Sequence, residues 1–80
     1  MKIYDFSGKK NISGERIKEA RKRLKLSQSD LAAKLQILGV ILERDSVSRM
    51  ELGTRFITDY EIKTLCEILK VKPEYLLGIE

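Results

Sequence analysis

An all-α domain of five short helices is the fold class that this sequence predicts, and three observations predict it. Apolar residues recur at helical spacing, most clearly Ile62, Leu65, Cys66 and Leu69 at i, i+3, i+4 and i+7. Helix-starting signals precede such runs: Ser27 with Asp30, Thr58-Asp59-Tyr60-Glu61, and Pro73. The apolar content is aliphatic, 42% hydrophobic against 6% aromatic, which suits helices better than stacked sheets.

Taken in order, residues 1–11 lack helical periodicity. Met-Lys-Ile-Tyr-Asp-Phe alternates apolar and polar, and Ser-Gly-Lys-Lys-Asn reads as loop, so this stretch is a short arm, irregular or extended. Residues 12–78 form the folded domain and 79–80 a tail. A first helix starts at Ser13 or Gly14 and ends near Lys25. Ile17, Ala20 and Leu24 make its apolar stripe, and Arg16, Lys18, Glu19, Lys22 and Arg23 its wet face. Ser27 caps a second helix, with Asp30 placing negative charge near its N-terminus. Leu31, Ala32 and Leu35 face inward with Leu38 behind them, and Gly39 is the stop. Gly39-Val40-Ile41-Leu42-Glu43 reads as a buried connector. A third helix runs from Arg44 to Leu52 with Val47 and Met50 inward, closed by Gly53 in a left-handed cap. The Thr58–Glu61 capping box opens the fourth helix, and Pro73 to Leu77 is a short fifth.

Eighty residues make one domain with a modest core, of limited stability unless it pairs with another copy. The single cysteine, Cys66, cannot form an internal disulfide and sits at a core position, so a small buried hydrophobe is expected there. With no secretory leader and no apolar run of membrane length, the expected compartment is the cytoplasm, and no membrane partner is expected. There is no histidine and no second cysteine, so neither a metal site nor a cofactor is expected. No nucleophile–base constellation or phosphate-binding loop is present, and an enzyme is not expected. The net charge of +4 favours a polyanionic partner.

The order of the motifs carries more. Leu26-Ser27-Gln28-Ser29-Asp30-Leu31-Ala32-Ala33-Lys34-Leu35 resembles the second helix of the phage-repressor/Cro-like (XRE) helix-turn-helix regulators. Val47-Ser48-Arg49-Met50-Glu51-Leu52-Gly53-Thr54-Arg55 resembles the end of that family's recognition helix and the loop after it. Leu65 to Val71, followed by Tyr75-Leu76-Leu77-Gly78, resembles its fourth and fifth helices. The resemblance spans about Ile12 to Gly78 and implies a five-helix lambda-repressor-like fold. One departure stands out: Gln36-Ile37-Leu38-Gly39-Val40-Ile41-Leu42 is longer than the family's usual turn between helices two and three.

With Val47 and Met50 inward, a 100° step per residue puts Asp45, Ser48 and Arg49 outward and Arg44 at the tip. The resemblance implies that these four contact base edges. Arg49 is the first choice, because a guanidinium can donate twice to guanine. Asp45 can accept from cytosine, or orient Arg49 one turn on. The resemblance also implies a phosphate contact from Gln28 and a partly buried ion pair between Arg21 and Glu51. Arg55, just past the third helix, is placed to touch the phosphate backbone, Ser46 is a further candidate, and Thr54, Lys9 and Lys10 are weaker ones. The expected function is a sequence-specific regulator of transcription, a repressor, binding double-stranded DNA as a homodimer. Tyr75, Leu76, Leu77 and Ile79, or Ile3, Tyr4 and Phe6, are candidates for the dimer contact. The alternative is a protein-interaction module of the same fold, antitoxin-like or an adaptor, which Glu43 and Asp45 at the reading end favour.

Overall fold

The computed structural model describes residues 5–79. Met1 to Tyr4, with the expected dimer residues Ile3 and Tyr4, lie outside them, as does Glu80 of the tail. Five helices follow in order: α1 (Gly14–Arg23), α2 (Gln28–Ile37), α3 (Arg44–Leu52), α4 (Asp59–Leu69) and α5 (Pro73–Leu77). Helix α1 packs on α3, α4 and α5, and α2 on α3 and α4. The shared core is aliphatic, with Ile17, Leu31, Leu35, Val47, Met50, Leu65 and Leu76 fully buried. Among the described residues no helix is long and apolar enough to cross a membrane.

Local chemistry explains the boundaries. Ser27 Oγ accepts from the Asp30 amide and the Asp30 carboxylate from the Ser27 amide, each at 2.9 Å, so α2 opens on a reciprocal capping box. Hydrogen bonding from Ser27, its amide first and its hydroxyl second, holds the Asp30 carboxyl below its usual range. Thr58 and Glu61 repeat the arrangement at the start of α4. Gly53, at φ +80°, ends α3 in the left-handed region, as its position after the last apolar residue predicts. Cys66 is buried in α4, and burial, with Glu74 and Glu67 nearby, raises its pKa.

Two expectations about apolar residues are corrected. Helix α1 stops at Arg23, before Lys25, so Leu24 is 37% exposed and does not extend the core stripe. The chain breaks there because Lys25 adopts φ +61° and turns toward Ser27. The α2–α3 connector is not buried as a whole. Val40 and Leu42 enter the core, whereas Leu38 is 50% and Ile41 75% exposed. Beyond Gly39 (φ +91°) the backbone is non-helical, and side chains in, out and in again are what such a stretch permits. The Gln36 side-chain amide pins this segment by donating to the Leu42 carbonyl at 3.1 Å.

The described part of the segment before α1 is a docked tight turn. Phe6 and Lys9 exchange backbone hydrogen bonds across Ser7 and Gly8, both at positive φ. The Lys10 amide then donates to the Gly53 carbonyl at 2.7 Å, fastening the turn beneath the end of α3. Of the residues expected to form a dimer contact, Leu76 is fully buried and Tyr75 half-buried, leaving Phe6, Leu77 and Ile79 exposed.

Candidate nucleic-acid interface

Helix α3 is fixed from behind before it presents anything in front. Arg21 of α1 donates from Nε to Glu51 Oε2 at 2.6 Å and from Nη2 to Oε1 at 3.0 Å. Its third arm, Nη1, donates to the Leu26 carbonyl at 2.7 Å, so one guanidinium ties α1, α3 and the turn into α2. Both residues are more than nine-tenths buried, and the hydrogen bonds to Glu51 hold Arg21 further above the ordinary arginine value. Gly14 brings the helices closer than any side chain would allow. A Cβ there would fall against the Met50 carbonyl oxygen and lie 2.7 Å from that of Glu51.

With Val47, Met50 and Glu51 inward, Arg44, Asp45 and Arg49 are exposed and Ser48 half-buried. Asp45 does not pair with Arg49. Its carboxylate lies 3.9 Å from Arg44 Nη1, and Arg49 Nε makes a long 3.4 Å bond to the Asp45 main-chain carbonyl. Neither arginine is locked, and both keep donors for a partner. The face is charge-balanced, since Glu43 and Asp45 offset Arg44 and Arg49. Long-range attraction to a polyanion therefore falls to the net charge of the chain, +4. Leu52, 63% exposed, continues the outward stripe one turn beyond Ser48 and Arg49. In the sequence it marks only the end of the third helix, because Val47 and Met50 alone define the inward face.

The residues expected on phosphate differ in how free they are. Ser46 is half-buried in the first turn of α3. The Thr54 hydroxyl donates to the Arg49 carbonyl at 3.3 Å. Gln28 donates through Nε2 to Glu51 Oε1 at 3.1 Å, which joins it to the Arg21–Glu51 pair. Arg55 donates to both carboxylate oxygens of Glu61, at 3.0 and 3.1 Å, and to the Phe56 carbonyl at 2.8 Å. Gln28 and Arg55 thus spend donors inside the protein. Burial pushes the Glu61 carboxyl up, but hydrogen bonds from Arg55 and Thr58 outweigh it and hold the group below its usual value. Lys10 is also committed, with Nζ 2.7 Å from Asp5 and 5.5 Å from the centre of the Phe56 ring.

A short α2, a pinned connector and an α3 with a locked back and a free front are the geometry of a helix-turn-helix, and the family model described as a helix-turn-helix domain matches residues 14–78. The chain belongs to the helix-turn-helix domain family. It is of the phage-repressor/Cro-like kind, and among solved structures it is similar to the P22 c2 repressor protein in complex with synthetic operator 9T in the presence of Tl+. That similarity has a TM-score of 0.73 and 26% identity, and covers 88% of this chain and 98% of that one. No curated protein sequence matches.

In this helix-turn-helix domain, two parts of the site escaped the sequence. The Arg55–Glu61 pair braces the loop after α3 on α4; it spans irregular chain, so no helical spacing announces it. The other is Asn11, whose side chain lies between the start of α1 and the end of α3. In the sequence it is one more polar residue in a loop.

Proposed function

We propose that this protein is a DNA-binding regulator of transcription, a repressor, that binds double-stranded DNA as a homodimer and reads the major groove with α3. The observation that carries the proposal is the pose of α3. Its inward face is locked by Arg21, Glu51 and Gly14, while Arg44, Asp45, Ser48 and Arg49 line the outer face. The similarity to a repressor in complex with operator supports the same reading. Arg49 and Arg44 are the base readers of choice, since each can donate twice to guanine, and Asp45 can accept from cytosine. Leu52 adds an apolar surface suited to a thymine methyl group. Ser46 is the proposed phosphate contact, joined by Thr54 only where its single hydroxyl proton leaves the Arg49 carbonyl for a phosphate oxygen. Gln28 and Arg55 contribute to phosphate binding chiefly by steadying α3 and the loop behind it, because their donors already serve Glu51 and Glu61.

Selection of duplexes from a random library, followed by a salt titration of the winner, tests this. A regulator enriches a defined site, and its log affinity falls linearly with log salt, by roughly 0.9 for each phosphate neutralised. If no duplex is enriched and none binds at low salt, the proposal is wrong.

A protein-interaction module is the second reading, favoured by the charge balance of Glu43 and Asp45 against Arg44 and Arg49 and by the exposed Ile37, Leu38 and Ile41 close by in sequence. It anticipates a partner protein and no duplex preference from the same selection.

A further inference from the structure

We infer that Asn11 is a positioning residue for α3, setting the pose of the helix that faces DNA from a point outside the helix-turn-helix itself. This rests on the reading of α3 as that helix. The Asn11 side chain uses its full hydrogen-bonding capacity. Oδ1 accepts from the amides of Ser13 at 3.0 Å and Gly14 at 2.8 Å. Nδ2 donates to the Met50 carbonyl at 3.1 Å and the Arg55 carbonyl at 2.8 Å. All four partners are main-chain groups of fixed polarity, so the amide can face only one way. One side chain joins the free N-terminus of α1 to the last turn of α3 and the loop beyond it.

Two neighbouring observations explain why that joint needs a precise linker. Ser13, the residue before α1, makes no side-chain cap, so Asn11 supplies the acceptor that α1 would otherwise lack. Gly14 lets the start of α1 press directly on the Met50 and Glu51 carbonyls. Those carbonyls belong to the last third of α3, after Arg49. A shift there swings the outward face relative to the rest of the domain, whereas Arg21 and Glu51 hold α3 only at one point along its length.

Asparagine and aspartate separate positioning from simple capping. Aspartate caps as well as asparagine and suits the positive end of a helix, so Asn11→Asp keeps both acceptor bonds to α1. It loses both donors to α3 and the loop, and sets a charge against two carbonyl oxygens. The experiment compares wild type and Asn11→Asp on the duplex that wild type selects, at a temperature where both are fully folded. Amide hydrogen exchange is followed at Gly53 and Thr54, which bond to the Met50 and Arg49 carbonyls, and at Ile17 in α1, which bonds to the Ser13 carbonyl. The expected result is about tenfold faster exchange at Gly53 and Thr54, unchanged exchange at Ile17, and about tenfold weaker duplex binding. Gly14→Ala, which opens the same joint while keeping the Asn11 side chain and the main-chain amide it accepts from, is expected to reproduce the pattern.

Wild-type exchange at Gly53 and Thr54 overturns the inference, and so does altered exchange with undiminished duplex affinity. If wild type selects no duplex, the proposed function fails, and exchange alone decides whether Asn11 positions α3. Should Asn11→Asp not fold, Asn11→Ser, which keeps a capping acceptor and is too short to reach both carbonyls, replaces it in the same comparison.

Discussion

Arg21 and Glu51 form a two-pronged, buried ion pair that also receives the amide of Gln28, so residues of α1 and α2 converge on one carboxylate of α3. The arrangement joins the support of α3 to the N-terminal turn of α2. It also leaves no polar atom of the pair without a partner, the condition under which a buried charge is tolerable.

Breaking that pair is expected to be costly. Glu51→Ala strands a buried guanidinium and should lower the unfolding free energy by about 3 kcal/mol. In a domain this small each kcal/mol lowers Tm by roughly 4–8 °C. Replacing both partners with apolar residues, as in Arg21→Met with Glu51→Leu, should cost less than either single change. Thermal and urea unfolding of Glu51→Ala, the double variant and its two single changes check the ordering, and an unchanged Tm for Glu51→Ala would show that the pair contributes nothing.

Acid should loosen the brace behind α3. The Glu61 carboxyl is held below the ordinary glutamate value of about 4.3. A carboxyl depressed on folding contributes stability that is complete above the unfolded pKa and is lost as pH falls through the lower, folded one. Urea midpoints should therefore be flat down to about pH 5 and decline below it. Asp30, shifted in the same direction but fully exposed, adds to the trend only slightly. Glu61→Gln should make the decline shallower, and parallel curves would remove Glu61 from the account.

The connector makes a sharp contrast between neighbours. Val40 is buried and Ile41 three-quarters exposed. Val40→Ala removes two buried methyl groups and should cost about 1.5–2 kcal/mol. Ile41→Ala should stay within about 0.5 kcal/mol of wild type. Equal costs would mean that the alternation is wrong.

The two arginines around the end of α3 should separate by readout. Arg49→Ala should leave folding intact and relax preference at one base pair of the selected site by about 1–3 kcal/mol. Arg55→Ala leaves the buried Glu61 short of a partner and should instead lower stability by about 1–3 kcal/mol with base preference kept. A change in preference from Arg55→Ala, or none from Arg49→Ala, would reverse these roles.

What could be read in advance was what short stretches encode. The bounds of α3 and α5, the capping box at Thr58 and the left-handed stop at Gly53 depend on residues a few positions apart, and local chemistry decides them. The outward placement of Arg44, Asp45 and Arg49 followed from the helical period once Val47 and Met50 were inside. The failures have a different origin. Leu24, Leu38 and Ile41 look like core in sequence, because hydrophobicity says what a side chain favours and not which way an irregular backbone points it.

By itself the sequence determined the helices, their order and the face α3 turns outward, since periodicity and capping act within a turn or two of chain. The tertiary structure alone decided which outward residues are free. Gln28 and Arg55 look as available as Arg49 in sequence, yet fold-distant Glu51 takes a donor of the first and Glu61 those of the second. The same holds for Asn11, a loop residue whose four partners are main-chain groups, two of them beyond α3 or at its end. A main-chain carbonyl leaves no mark in the sequence, because every residue carries one.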